Sequence, residues 1–232
     1  MTAVFPAWDL PTVPVHGSAE RFPVRHIFCV GLNFAEHAKE MGGDATKEPP
    51  FFFCKHADSV VPVVAPAVGT VRYPLATKNY HHEIELVVAV GRGGRDIGAS
   101  RALEHVFGYA VGNDLTRRDL QHAAKNAGAP WDAAKGFDHS APVTAIRRAA
   151  EVGHPTSGAI WLEVNGESRQ RADLTEMIWS VPEILAVLSS YFELQAGDLI
   201  FTGTPAGVGP IVRGDSLVGG IDGLDTLRTT IV

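Results

Sequence analysis

The fold is decided by residues 81–90, HHEIELVVAV, whose side chains alternate in character with the period of a β-strand. One face of such a strand carries Ile84, Leu86, Val88 and Val90, and the other carries Glu83, Glu85, Val87 and Ala89. Both carboxylates therefore border apolar side chains, roughly 6.6 Å apart along the strand. Two like charges in that setting are costly without a counter-ion. We weigh a shared cation site against the simpler alternative of two solvated glutamates on a half-exposed strand.

Short apolar runs rich in β-branched residues continue on both sides of this stretch, separated by Gly and Pro turns. They are RHIFCVGLN, FFFCK, VVPVV, AIWLEVNG and DLIFTGTP. The clearest helix is predicted from Ser180 to Phe192, where Ser180 and Glu183 form an S-x-x-E capping box. A second helix is predicted to begin near Asp114, and a short third one to cover 34–41. Strands dominate, which predicts a mostly β fold of the α+β class.

The length of 232 residues favours one compact unit. The first 23 residues carry Pro6, Pro11, Pro14 and Pro23 with little periodicity, so we predict an irregular N-terminal arm at 1–23 on a catalytic domain at 24–232. A net charge of -6 with scattered Lys and Arg disfavours a nucleic-acid partner. No apolar run is long enough to span a membrane and the start has no signal-peptide pattern, so we expect a cytoplasmic protein without a membrane partner.

Asp114 is the candidate third carboxylate of the cation site. It follows the apolar run VFGYAVGN and opens a helical pattern, so a helix N-cap is its simplest alternative role. Three oxygen ligands favour Mg²⁺ or Mn²⁺ over zinc and leave room for a chelating substrate. His81 shares the glutamate face, and a softer zinc site that includes it is the weaker alternative.

Two further groups of residues suggest catalysis. His37 and Glu40 lie three apart on a predicted helix, where the carboxylate can orient the imidazole, although such pairs are usually solvated surface contacts. Lys135, with Arg117, Arg118 and Gln121, could hold carboxylate and carbonyl oxygens, or be ordinary solvated residues.

The Gly-rich loop at 201–210, FTGTPAGVGP, exposes amides that suit an anionic group, and a plain turn is the alternative. It lacks the Gly-Lys-Ser/Thr ending of a phosphate loop. The segment GRGGRD at 91–96 likewise lacks the third glycine of a dinucleotide fingerprint. Nucleotide cofactors are therefore disfavoured.

Six blocks, in order and spacing, resemble the signature blocks of the fumarylacetoacetate hydrolase family: VGLNFAEHAKEMG, HHEIELVVAVG, GYAVGNDLTRRDLQ, KGFDHSAP, LEVNGE and DLIFTGTPAGVGP. The resemblance runs from about Val24 to the C-terminus. Within the family, EPPFFFCKHADSVVP, NYHHEIEL and AIWLEVNG followed by IWSVPE are most similar to the short fumarylpyruvate hydrolases of the gentisate pathway of aromatic catabolism.

This resemblance implies a β-roll of mixed sheets with short flanking helices, a homodimer, and one Mg²⁺ or Mn²⁺. The implied reaction is hydrolysis of a carbon–carbon bond in a small dicarboxylic dioxo acid, with fumarylpyruvate giving fumarate and pyruvate. The implied site residues are the metal ligands Glu83, Glu85 and Asp114; the water-activating dyad His37 and Glu40; Lys135 at the developing enolate; and the substrate contacts Arg118, Gln121 and Thr204. Leu32 departs from the pattern, because the most similar members usually carry Arg there.

Two alternatives stay open. The same metal and enolate machinery would serve oxaloacetate decarboxylation, or dienoate hydration and isomerisation, which also occur in the family. A non-catalytic binding domain on this fold would tolerate loss of His37 or Glu40, and both are present.

Overall fold

The computed structural model describes residues 4–6, 8–42 and 49–232. The strands among them are, in chain order, β1 (Thr12–Pro14), β2 (Arg21–Pro23), β3 (Ile27–Gly31), β4 (Phe51–Lys55), β5 (Val60–Val63), β6 (Gly69–Val71), β7 (Tyr80–His82), β8 (Ile84–Val90), β9 (Val106–Asn113), β10 (Thr116–Arg117), β11 (Ala141–Thr144), β12 (Arg147–Arg148), β13 (Ala159–Val164), β14 (Glu167–Asp173), β15 (Leu199–Phe201), β16 (Gly209–Ile211), β17 (Ser216–Ile221) and β18 (Leu227–Ile231). The α-helices are α1 (Ala35–Glu40), α2 (Arg118–Ala127), α3 (Asp132–Lys135), α4 (Ala149–Val152) and α5 (Val181–Tyr191), and 3₁₀ turns cover Ala57–Ser59, Ala99–His105 and Leu174–Glu176.

The strands form two large mixed sheets. The first has the order β4-β3-β15-β8-β9-β11-β5, with β12 paired to β9. Within it, β15 runs parallel to β3 and β11 runs parallel to β5, while the other neighbours are antiparallel. The second has the order β14-β13-β17-β18-β6, with β18 and β6 parallel. The predicted mostly β fold of mixed sheets is confirmed.

Strand β8 is buried along its whole length, at the centre of the first sheet. Ile84, Leu86, Val88 and Val90 enter the larger core cluster, which also takes residues from β13, β17 and α5. Val87 and Ala89 enter a second cluster on the opposite face. The predicted alternation is therefore correct, but the glutamate side of the strand is covered instead of half-exposed.

Part of the predicted irregular arm is regular. Strands β1 and β2 pair as an antiparallel hairpin, and Val13 and Phe22 are buried in the second core cluster. Proline is compatible with such a short two-stranded edge, where Pro14 and Pro23 end the strands. Residues 1–3 and 7 of the arm lie outside the described part of the chain.

The helix predictions differ in accuracy. Helix α5 has the predicted capping box, because the Ser180 N–H donates to Glu183 Oε2 at 2.9 Å. Helix α1 fits the predicted span. Helix α2 begins at Arg118 rather than near Asp114, so the N-cap role of Asp114 was wrong. The intervening Thr116 and Arg117 pair with β7, and that long-range strand contact outweighs the local helical pattern.

The described helices are all too short or too polar to cross a membrane.

Candidate functional site

Three carboxylates meet beside the central strand pair. Glu83 precedes β8, Glu85 lies in it, and Asp114 follows β9. The strands are antiparallel with Ile84 opposite Asn113, and the Asp114 N–H donates to the Glu83 carbonyl oxygen at 2.8 Å. This register brings one carboxylate oxygen of each acidic residue within 4.8 Å of the others, and all three residues are buried. The structure therefore brings the predicted ligands together.

Three buried cations surround this acidic triad. Lys135 Nζ donates to Glu83 Oε2 at 2.8 Å and to Asp114 Oδ2 at 2.7 Å. Arg118 donates to Glu83, and Lys55 Nζ lies 2.8 Å from Asp114 Oδ1. Charges removed from water in this way depend on their partners, because an unpaired one would cost several kcal/mol.

The cations separate the pKa values of the two glutamates. Burial opposes ionisation of Glu83, but Lys135 and Arg118 outweigh it and hold the pKa of Glu83 well below its usual range. Burial, followed by the charges of the other two carboxylates, raises the pKa of Glu85 well above its usual range. Among the described residues, no cation pairs with Glu85, whose Oε2 accepts the Gly203 N–H at 2.7 Å.

This donor set fits a hard divalent cation. The triad offers only oxygen ligands, which Mg²⁺ and Mn²⁺ prefer. Asp114 Oδ1 accepts no well-formed hydrogen bond despite its ion pair with Lys55, and the Glu85 carboxylate has no cation partner within the described chain. A divalent ion at these atoms would supply the missing positive charge.

His81 does not join the triad. Its Nε2 lies 2.8 Å from Asn79 Oδ1, and Arg118 Nε donates to its Nδ1 at 3.4 Å. Burial, followed by the Arg118 charge, lowers the pKa of His81 to about 4. The group of candidate ligands found in the described residues contains the three carboxylates without His81. The arrangement therefore supports an oxygen-only site over the softer zinc site.

His37 and Glu40 form a hydrogen-bonded pair on α1. His37 Nδ1 lies 3.0 Å from Glu40 Oε2, and the His37 side chain is only 6% exposed. Glu40 is held in turn by the Gly207 N–H, at 3.2 and 3.3 Å from its two oxygens. Because Nδ1 is engaged, Nε2 is the ring nitrogen that remains for a ligand or water. The pair is thus a held contact in which the His37 ring is buried, while the Glu40 side chain stays 34% exposed.

The Gly-rich loop after β15 works through its backbone. Its amides were expected to suit an anionic group, and two of them, at Gly203 and Gly207, donate to the protein's own carboxylates Glu85 and Glu40. Both glycines have positive φ angles, +99° and +96°. A Cβ atom at Gly207 would lie 2.0 Å from the Arg169 carbonyl oxygen, so the close approach requires glycine.

One cavity of about 190 Å³ connects these groups. Its lining includes Glu83, Glu85, His37 and Lys135. An aromatic wall of Phe51, Phe53 and Trp131 lines it as well, with ring centroids between 4.9 and 6.2 Å apart. A small planar ligand in this cavity would contact two of the candidate metal ligands, Glu83 and Glu85, and the candidate base together.

The three predicted substrate contacts, Arg118, Gln121 and Thr204, also line the cavity, and each already has a hydrogen-bond partner within the protein. Arg118 donates to Gln121 as well as to Glu83. The Thr204 hydroxyl donates to the Ile84 carbonyl at 2.8 Å and accepts from Gln170 Nε2 at 2.7 Å. Their contacts with substrate stay predictions.

Lys55 was missed by the sequence analysis. Besides its ion pair with Asp114, it donates to the Leu115 carbonyl at 3.2 Å and to the Lys135 carbonyl at 2.5 Å. Its only local signal is the position of a lysine at the end of the apolar strand FFFCK, a pattern that predicts a strand and no site residue.

Comparison with known proteins places this site in context. Residues 26–232 match the family described as fumarylacetoacetate (FAA) hydrolase C-terminal. The crystal structure of fumarylpyruvate hydrolase from Pseudomonas aeruginosa in complex with Mn²⁺ and pyruvate has a TM-score of 0.98 and 52% sequence identity, covering 100% of this chain and 99% of that one.

Two curated relatives carry different activities. Fumarylpyruvate hydrolase of Ralstonia sp is 43% identical over 188 residues, 81% of this chain and 95% of the relative. The mitochondrial oxaloacetate tautomerase FAHD1 of Mus musculus is 41% identical over 204 residues, 88% of this chain and 90% of the relative.

Proposed function

Because the chain belongs to the fumarylacetoacetate hydrolase family, we propose that it is a divalent-metal-dependent hydrolase that cleaves fumarylpyruvate into fumarate and pyruvate. The observation that carries this proposal is a single cavity lined by His37 and by two carboxylates of the acidic triad, Glu83 and Glu85. A cation site and a water-activating base are the two devices that such a hydrolysis requires. The full-length similarity to a fumarylpyruvate hydrolase supports the choice of substrate.

We assign the metal to Glu83, Glu85 and Asp114, with Mg²⁺ or Mn²⁺ as the ion that suits three carboxylates. When bound, the ion supplies positive charge that polarises the oxygens of the pyruvyl end of the substrate. Lys135 and Arg118 keep Glu83 ionised, and so prepared as a ligand, in an interior that would otherwise favour its neutral form.

We assign the activation of water to His37. Its Nε2 takes a proton from a water that attacks the ketone carbonyl distal to the pyruvyl carboxylate. The Glu40 carboxylate accepts the hydrogen bond from His37 Nδ1–H and stabilises the imidazolium that results. The Gly207 N–H in turn donates to Glu40 and holds it in place. The bond between that carbonyl carbon and the adjacent methylene then breaks, and fumarate forms from the acyl side.

The leaving group is the enolate of pyruvate, which is unstable in water without charge stabilisation. The Lys135 ammonium has three donor hydrogens and gives two of them to Glu83 and Asp114. Its third donor is available to the developing enolate oxygen. Return of the proton from the His37 imidazolium to the methylene carbon completes pyruvate and frees His37 for the next turnover. Arg118, Gln121 and Thr204 are proposed to align the substrate from the cavity wall.

A second candidate is tautomerisation or decarboxylation of oxaloacetate, which the similarity to the oxaloacetate tautomerase supports. The test is a comparison of metal-stripped protein, reloaded with Mg²⁺ or Mn²⁺, on fumarylpyruvate, acetylpyruvate and oxaloacetate. We expect the largest kcat/KM on fumarylpyruvate, with two acids as products. Faster turnover of oxaloacetate, with isomer or carbon dioxide as product, would favour the second candidate.

The expectations about assembly and setting are also proposals. We propose a homodimer, a catalytic unit at 24–232 that carries the N-terminal arm, and a role in gentisate degradation in the cytoplasm. Light scattering of the purified protein tests the first of these directly.

A further inference from the structure

Helix α2 presents one polar face to the cavity. Arg118, Gln121, His122 and Lys125 all line the cavity, at spacings of three, four and seven residues that place them on one helical face. Arg118 is buried beside the triad, whereas Lys125 is exposed. Two helical turns separate them, roughly 10.5 Å along the axis. Lys125 therefore stands at the cavity mouth, far from the triad.

Among the residues that the structure describes, Lys125 is the cavity-lining Lys or Arg that no carboxylate engages. Arg118 is engaged by Glu83, Gln121 and His81, and Lys135 by two carboxylates of the triad. The contact of Lys125 Nζ with the Met41 carbonyl oxygen, at 3.5 Å, is too long for a strong hydrogen bond. Among the described residues, 4–6, 8–42 and 49–232, no carboxylate forms an ion pair with Lys125. Lys125 could therefore bind an incoming anion without breaking an ion pair or a strong hydrogen bond.

The cavity between these ends is apolar. Leu32 and Met41 line it, together with the aromatic wall of Phe51, Phe53 and Trp131. The aliphatic Leu32 side chain has no donor for an anion. An apolar surface therefore lies between the triad carboxylates at one end of the cavity and Lys125 at its mouth. Such a surface suits the planar carbon chain of a substrate that has a charged group at each end.

We propose that Lys125 binds the distal carboxylate of the acyl chain and makes the enzyme selective for dicarboxylic over monocarboxylic acylpyruvates. This inference rests on the proposed function, because the pyruvyl end must occupy the triad for the acyl end to reach Lys125.

The test compares fumarylpyruvate with acetylpyruvate, which shares the pyruvyl end and lacks the second carboxylate. In Lys125→Met we expect kcat/KM for fumarylpyruvate to fall about 10-fold or more, mainly through KM, because a charge-assisted contact is lost. The value for acetylpyruvate should stay within about 2-fold. Lys125→Arg should retain most of the fumarylpyruvate activity. Lys39→Met removes an exposed lysine of α1 that pairs with Glu36, and serves as the matched control.

Equal losses on both substrates, or no loss on either, would overturn the proposal. A selective loss in His122→Ala but not in Lys125→Met would overturn it too, by assigning the carboxylate to the neighbouring cavity residue. If the wild-type protein turns over neither substrate, the proposed function fails separately. Calorimetric binding of the same two compounds in the presence of Mg²⁺ then still decides the role of Lys125, through the same selective loss of affinity or its absence.

Discussion

Lys55 Nζ lies 2.8 Å from Asp114 Oδ1 in the protein interior, where neither side chain is more than 1% exposed. The same ammonium donates to the carbonyl oxygen of Lys135, the last residue of α3. One buried cation thus holds a candidate metal ligand and the backbone of the candidate enolate-stabilising lysine. Lys55 does not line the cavity, so its role is to position these groups.

Replacing Lys55 should therefore destabilise the fold. In Lys55→Met we expect the free energy of unfolding to drop by about 3–5 kcal/mol, because the buried Asp114 carboxylate loses one of its two cationic partners. Urea denaturation measures this, with Lys39→Met as an exposed control that should change stability by no more than about 0.5 kcal/mol. Adding Asp114→Asn should cost less than the sum of the two single changes. Strict additivity would contradict direct pairing.

The acidic triad should be required for metal binding. We expect Glu83→Ala and Asp114→Ala to weaken Mn²⁺ binding by on the order of 100-fold or more, and to abolish metal-dependent turnover, because two carboxylates hold a hard cation poorly. Titration calorimetry measures the affinity, and Glu36→Ala on the surface of α1 is the control. Full activity of either triad variant, or of the wild-type protein in EDTA, would show that turnover does not require the metal.

The pair on α1 should affect turnover without affecting the metal. His37→Ala should lower kcat by roughly 10²–10⁴ while Mn²⁺ affinity stays near the wild-type value, because the base is lost and the ligands are not. Glu40→Gln should do less damage. This variant keeps the imidazole ring oriented but removes the anion that stabilises the imidazolium. Near-normal hydrolysis in His37→Ala would leave the water-activating group unidentified.

Asp119 should give α2 a pH-dependent contribution to stability. It accepts the Thr77 hydroxyl at 2.6 Å and the Lys78 N–H at 2.9 Å. Partial burial opposes ionisation, but these hydrogen bonds outweigh it and lower the pKa of Asp119. A carboxyl with a lowered folded pKa stabilises the fold above its ordinary titration range and loses that effect as the pH falls through the folded value.

We therefore expect Asp119→Ala to lower the free energy of unfolding by about 1 kcal/mol at pH 7, with a smaller difference from wild type below the usual carboxyl range. Denaturation at several pH values tests this, with exposed Asp9→Ala as the control. A difference that is constant or grows towards low pH would contradict the assignment.

The parts of this site that follow from local periodicity could be predicted from sequence. The two-residue period of a strand put Glu83 and Glu85 on one face, and the helical period put His37 beside Glu40. The start of α2 could not be placed, because Thr116 and Arg117 pair with a strand more than thirty residues earlier in the chain.

Long-range contacts explain what else was missed. Lys55 meets Asp114 across 59 positions, and Gly207 meets Glu40 across 167. No local pattern encodes such a contact, so a lysine that ends an apolar strand and a glycine in a turn look ordinary in the sequence. The sequence also could not show that Arg118 forms an ion pair with Glu83. Because of that ion pair, Lys125 is the better candidate to bind the distal carboxylate of the substrate.

In the proposed reaction, water activated in this cavity cleaves the substrate at its distal ketone. The most direct measurement is turnover of fumarylpyruvate in ¹⁸O-water with Mg²⁺, followed by mass spectrometry of the products. We predict fumarate and pyruvate in equal amounts, with the new fumarate carboxylate carrying one more solvent oxygen than the ketone of recovered substrate. Fumarate without that extra label, or carbon dioxide in place of fumarate, would contradict the account.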